Sequence, residues 1–188
     1  MAIEELTAEE VREVYRTRLV RDFPPNEVKR LSLIEKTARR GGYRCYGLKD
    51  GDGLLAYAFF MVLERQALLD YYAVRQDLRG TGVGSRFLRE LGEGVMKGND
   101  CVLLETEDPD AVTDPEAKMK RERRLHFYLK NGLLDTGVRS RVYGADYRIL
   151  QFPGGAIPER NEVTARYTAH YRDILPFWRR LLHVKIKI

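Results

Sequence analysis

The sequence predicts an α/β fold of the mixed-sheet kind: a central, mainly antiparallel sheet with helices on its faces. Three observations lead there. The run "LLAYAFFMVLE" from Leu54 is apolar throughout rather than alternating, as a central strand covered on both faces must be. Two further strand-like runs, "YRCYGL" before it and "ALLDYYAV" after it, are joined to it by connections short enough for hairpins, the first of them "KDGDG". Segments with helical spacing of apolar residues stand before, between and after the strands, in the order αα-βββ-α-β-α-ββ.

The elements follow in turn. Thr7 with Glu10 forms a capping box, and Leu6, Val11, Val14, Tyr15 and Leu19 mark one face of a first helix that "DFPP" stops. Val28, Leu31, Ile34 and Ala38 mark a second helix, closed by Gly41 and Gly42. The three strands come next, then the glycine-rich stretch "RGTGVG" and a helix to about Met96. "CVLLETE" is a further buried strand. "DPDAVTDPE" is a loop that places proline at a helix start, and a charged helix runs from about Asp114 to Lys130, stopping at "NG". "VRSRVYGADYRILQF" is two strands around a glycine turn. These elements make one domain over residues 1–152. After "FPGGAIPE" a helical extension occupies 153–188. Its stripe of Val163, Tyr167, Tyr171, Ile174, Leu175, Trp178 and Leu182 is too apolar to face water, and Pro176 is expected to kink it. The extension either packs on the domain or forms a homodimer interface; "VKIKI" at the end is a short strand or a frayed tail.

Composition narrows the function. Of 188 residues, 44% are hydrophobic and 32% charged, so the chain folds as an ordinary globular domain. The net charge of +5 is interleaved with acids ("RERR", "EVREVYR"), which reads as solvated faces, and no nucleic-acid partner is expected. The longest apolar run, "LLAYAFFMVL", is too short to span a bilayer, and "MAIEEL" carries no signal-peptide apolar region; the expected location is cytoplasmic, with no membrane partner. Cys45 and Cys101 sit in apolar segments and read as buried small hydrophobes. His126, His170 and His183 lack metal-ligand spacing, so no metal is expected.

The glycine stretch carries the function. A Walker A loop needs Lys and then Ser or Thr after its last glycine, but Gly84 is followed by Ser85 and Arg86. A Rossmann turn needs G-x-G-x-x-G early in a βαβ unit, whereas this chain has G-x-G-x-G at mid-chain. A plain strand-to-helix turn is the bland alternative. Glycines at 80, 82 and 84 between a buried strand and a helix N-terminus nevertheless leave amides free to hold an anion, with the helix dipole behind them.

"VRQDLRGTGVGSRFL" resembles the acetyl-CoA-binding motif of the GNAT superfamily of acyl-CoA-dependent N-acetyltransferases, Q/R-x-x-G-x-G/A, through Arg79, Gly82 and Gly84. "RLHFYLKNGLL" resembles that family's second signature, roughly F-Y-x-x-x-G-F: Phe127, Tyr128 and Gly132 match, and Leu133 stands where phenylalanine is usual. The resemblance covers residues 1 to about 152. It implies a splayed sheet with acetyl-CoA as co-substrate. The pyrophosphate would lie on Arg79, Gly80, Thr81, Gly82, Val83, Gly84 and Ser85, and the pantetheine arm would pair with the backbone at Ala73 and Val74. It also implies Tyr128 as general acid for the departing thiolate.

The base stays open. Asp70 is ionisable within an apolar strand, Glu105 and Glu107 share one face of theirs, and Glu64 ends the central strand; each taken singly reads first as a strand-end or ion-paired structural carboxylate. Arg121, Arg123 and Arg124 are placed to pair with Glu105 or Glu107, unless they form a solvated face. The expected activity is transfer of acetyl to a primary amine of a small-molecule, peptide or protein acceptor by direct attack in a ternary complex, the alternative being a non-catalytic acyl-CoA sensor or scaffold. "RDFPPNEVKR" and "RSRVYGADY" are the segments that would select the acceptor.

Overall fold

The computed structural model describes residues 1–51, 53–154, 158–175 and 184–187. It is a mixed α/β fold with an eight-stranded, mainly antiparallel sheet and flanking helices, as the sequence pattern predicts. The chain clusters into two compact units: Met1–Glu64 with Leu69–Lys97, and Arg65–Leu68 with Gly98–Ile188.

In the first unit the strand order is β1 (Ala2–Glu5), β2 (Tyr43–Asp50), β3 (Gly53–Leu63) and β4 (Gln66–Val74), whose first residues belong to the second unit. β2 and β3 pair antiparallel from Tyr43↔Met61 to Asp50↔Gly53. Ala56 to Phe60 are completely buried, which is why β3 reads as unbroken apolar sequence. Helix α1 (Ala8–Val14) starts with the predicted capping box, Thr7 Oγ1 accepting from the Glu10 amide and Glu10 Oε2 from the Thr7 amide. It continues through a π turn over Tyr15–Leu19 into the short α2 (Val20–Asp22). After the segment 23–30 comes α3 (Leu31–Ala38), with Ile34 fully buried and the Gly42 amide closing on Thr37 O. Helix α4 (Val83–Glu90) follows β4 and ends in a π turn over Leu91–Val95.

The β1 strand is absent from the sequence reading, because "AIEE" holds a single large apolar residue. Its register comes from β2, from Ala2↔Lys49 to Glu5↔Tyr46, and is fastened by Arg44 to Glu5 (2.6 Å) and Lys49 to Glu4 (2.9 Å).

In the second unit the order is β5 (Cys101–Glu107), β7 (Ala145–Gln151), β6 (Leu134–Val142) and β8 (Val184–Lys187), all neighbours antiparallel. β6 starts four residues before the expected "VRSRV", with a register irregularity between Asp135 and Arg139. The terminal "VKIK" is a strand, held by β6 from Arg139↔Lys187 to Val142↔Val184. Helix α5 (Pro115–Lys130) has Asp114 as its cap and proline in its first turn. Helix α6 (Arg160–Ile174) buries Val163, Tyr167 and Tyr171 within the single chain. Pro176, Trp178, Leu182 and His183 lie outside the described residues. Both cysteines are buried and free.

Candidate functional site

The glycine turn, Asp70, Ala73 and Val74 belong to the first unit, and Glu105 and Tyr128 to the second. In the first, Gly80 and Gly82 have φ of +83° and +91°, a backbone that L side chains avoid, which accounts for glycine at both. A Cβ added at either would meet nothing within 4 Å, so the turn borders open space. Gly82 is the N-cap of α4, and no side chain caps that helix. The first intrahelical bond runs from the Arg86 amide to Gly82 O (3.0 Å), which leaves the amides of Val83, Gly84 and Ser85 without an acceptor in the helix. Free amides at a positive dipole end suit an anion.

Neighbouring residues fix this turn. Thr81 Oγ1 donates to Leu78 O (2.7 Å). Arg79 donates from Nε to Val74 O (3.2 Å) and reaches Asp22 at 3.5 Å. Asp22 also accepts from the Tyr57 hydroxyl (2.9 Å), whose pKa burial pushes far up. Tyr72 was not foreseen: its hydroxyl donates to Gly84 O (2.5 Å) and its ring stacks on Phe87 at 5.6 Å, tying β4 to the first turn of α4. An aromatic on the strand leading into the motif was the available signal. Ala73 is buried and Val74 half-buried.

Asp70 is held. Its side chain is 3% exposed; Oδ1 lies 2.6 Å from Lys29 Nζ, and Oδ2 accepts from the Tyr43 hydroxyl. Burial first, then the Asp70 charge, drives the Tyr43 pKa well up, so that hydroxyl stays a donor.

In the second unit, Glu105 Oε1 receives the hydroxyls of both Tyr167 and Tyr171, the latter at 2.6 Å. Tyr167 also meets Ser140 Oγ at 2.9 Å. Desolvation, with the Glu105 charge second, raises the Tyr167 pKa well above the usual phenol value. This clamp escaped the sequence reading, although two tyrosines four apart on an apolar stripe carry polar tips that must find partners when buried. Glu107 pairs with Arg121 (3.1 Å) and Arg124, while Arg123 is exposed. Glu64 sits at φ +54° in the turn after β3.

Tyr128 is 6% exposed. Burial pushes its pKa up to about 12, against the opposing charge of Arg124, so the phenol stays protonated at neutral pH. Its position is set by the end of α5. The Leu133 amide bonds Tyr128 O (3.2 Å) and the Gly132 amide bonds Leu129 O (3.0 Å), with Gly132 at φ +88°. That is a Schellman closure, which requires the glycine. Leu133 is buried, so an aliphatic side chain fills the place where the motif has phenylalanine.

A cavity of ≈ 220 Å³ in the second unit is lined by Asp108, Asp110, Ala111, Arg139, Ser140, Asp146 and Tyr147. The late hairpin contributes four of these residues. Among the described residues no cluster of three or more side chains is arranged to hold a metal ion, and no helix is long and apolar enough to cross a membrane.

His170, on α6, is 1% exposed, and neither ring nitrogen has a hydrogen-bond partner among the described residues. Desolvation lowers its pKa to about 4 from 6.5. A depressed histidine pKa contributes stability above the unfolded value, which is lost as pH falls through the folded one. Urea denaturation is expected to show about 3 kcal/mol less stability at pH 4 than at pH 7 from this group. His170→Leu should flatten that part of the profile; an unchanged profile would assign the acid sensitivity elsewhere.

No family model and no curated protein matches the chain. Solved structures do. A protein described as an acetyltransferase of the GNAT family from Bacteroides thetaiotaomicron aligns over 93% of this chain and 98% of its own, at 21% identity and TM-score 0.68. The ribosomal-protein-S18-alanine N-acetyltransferase of Escherichia coli aligns over 82% and 96%, at 21% identity and TM-score 0.55. An aminoglycoside 6′-N-acetyltransferase complexed with coenzyme A aligns over 82% and 99%, at 16% identity and TM-score 0.56. Together with the glycine turn and the α5 closure, these alignments show that the chain has the fold of the GNAT acetyltransferases.

Proposed function

We propose that the protein is an N-acetyltransferase that moves the acetyl group of acetyl-CoA to a primary amine of a small molecule, peptide or protein, by direct attack in a ternary complex. One observation carries the reading: the uncapped start of α4, with Gly80 and Gly82 at positive φ beside open space. The amides from Gly80 to Ser85, with Arg79, would take the diphosphate, and the backbone at Ala73 and Val74 would pair with the pantetheine arm. A thiol pKa near about 8.5 makes the thiolate a tolerable leaving group, and the protonated phenol of Tyr128 would supply its proton. Of the carboxylates, Asp70 on β4 or Glu105 on β5 would take the proton of the amine.

One observation favours a second reading, a non-catalytic acyl-CoA-binding module: Asp70, Glu105 and Glu107 each already engage internal partners. A screen of amine acceptors that follows CoA release separates the two, since only the enzyme releases CoA in response to an acceptor. Binding itself is tested at Gly84. A carboxylate there repels the diphosphate at the helix start, so Gly84→Glu should weaken acetyl-CoA binding in calorimetry by roughly tenfold or more, on the order of 1.4 kcal/mol. Unchanged affinity in a folded variant would remove the anion site from the proposal.

A further inference from the structure

The segment joining α2 to α3 sends one lysine inward. Lys29 Nζ lies 2.6 Å from Asp70 Oδ1, the two side chains being 13% and 3% exposed. The same ammonium stands 5.5 Å from the centre of the Tyr71 ring. The backbone is drawn in with it: the Lys29 amide donates to the Tyr71 hydroxyl (2.8 Å), and that hydroxyl donates to Glu27 O (2.8 Å). Phe23 packs edge-on against Tyr71 at 5.0 Å. A carboxylate and an aromatic face thus form a nest for one alkylammonium group, and the chain's own lysine fills it. A lysine on a surface segment ordinarily leaves its head group in water.

The position of this nest matters because Asp70 stands on β4, three residues before Ala73 and so about 10 Å upstream along the strand. The glycine turn follows the other end of β4. An acyl-pantetheine arm that starts at the turn and runs back past Val74 and Ala73 brings its thioester toward Asp70. The amine already held there is that of Lys29.

We propose that Lys29 is an internal acceptor, so that the protein acetylates its own Lys29 from acetyl-CoA. This rests on the reading of the glycine turn as the acetyl-CoA site. In the step, the ammonium gives one proton to the Asp70 carboxylate. The freed nitrogen lone pair attacks the thioester carbonyl carbon, a C–N bond forms and the C–S bond breaks with its electrons going to sulfur. The second proton leaving nitrogen ends on the CoA thiolate, and Asp70 returns its proton to solvent. The products are Nζ-acetyl-Lys29, CoA thiol and one proton. Acetylation removes the cation from Asp70, while the Tyr71 hydroxyl still holds the Lys29 amide and Glu27 O.

The test is incubation of the full-length protein with acetyl-CoA and no added amine, read by intact mass and peptide mapping, with acetyl-CoA binding measured in parallel by calorimetry. Simple chemical acetylation favours exposed amines such as Lys120, whose side chain is 59% exposed, over a sheltered Lys29. The expected result is the reverse, Lys29 modified roughly tenfold faster or more than Lys120, because the amine is held in place. The rate should not depend on protein concentration. Lys29→Arg, which keeps a cation on Asp70, should abolish the fast modification, and Asp70→Asn should slow it. Lys29 left unmodified in protein that binds acetyl-CoA overturns the inference and leaves the proposed function standing. Modification of Lys120 as fast as Lys29, or a rate proportional to protein concentration, also overturns it. Absence of acetyl-CoA binding overturns both.

Discussion

Tyr128→Phe is expected to lower kcat by about a hundredfold or more while acetyl-CoA affinity stays within a few-fold of the parent. The substitution removes one oxygen and keeps the ring. The ring contact with Phe127 at 5.3 Å and the Schellman closure around Gly132 therefore survive. The proposed effect comes from the proton: burial raises the phenol pKa to about 12, so it is protonated at neutral pH, and in the proposed step it supplies that proton to the departing sulfur. Steady-state kinetics with an acceptor found by the screen, alongside a direct titration with CoA, measure both quantities. If kcat survives, Tyr128 is a packing residue or water does its work. If affinity falls together with kcat, the ring is holding the cofactor and the proton-donor role fails.

The largest expected effect on stability is at Tyr167. Its side chain is fully buried, packs edge-on against Tyr171 at 5.3 Å and hydrogen-bonds both Glu105 and Ser140. Tyr167→Ala opens a cavity of ring size and should cost about 3–5 kcal/mol in urea denaturation. Tyr167→Phe removes only the hydroxyl and should cost about 1–3 kcal/mol, since it leaves the half-buried Glu105 carboxylate with one donor fewer and Ser140 without its partner hydroxyl. Because the burial lies within one chain, the unfolding midpoint should not change with protein concentration. A cost below about 1 kcal/mol for the alanine variant would mean that α6 is no part of the folded core. A midpoint that rises with concentration would assign the helix to an interface between chains.

Much of the framework is legible because its signals are local. Thr7 and Glu10 close their box within one helical turn, Asp114 and Pro115 start α5, and Gly132 ends it. The glycines at 80 and 82 announce a backbone that other residues avoid. β3 identifies itself because both its faces are covered, so it needs no polar residue along its middle. Each of these features is decided by residues within a few positions of one another, and a sequence displays that spacing directly.

What only the tertiary structure decided are the features whose partners lie far along the chain. β1 and β8 are four residues each and mostly charged or alternating; they exist as strands because β2 and β6 offer free edges to pair with. Three of the four candidate carboxylates, Asp70, Glu105 and Glu107, look alike as letters. Folding gives them different surroundings: Asp70 receives Lys29 from 41 residues away, Glu105 receives Tyr167 and Tyr171 from 62 and 66 residues away, and Glu107 receives two arginines of α5. The chemistry open to a carboxylate depends on the donors and cations around it. Those are supplied by whichever distant segments the fold packs against it, and no local spacing in the sequence records that choice.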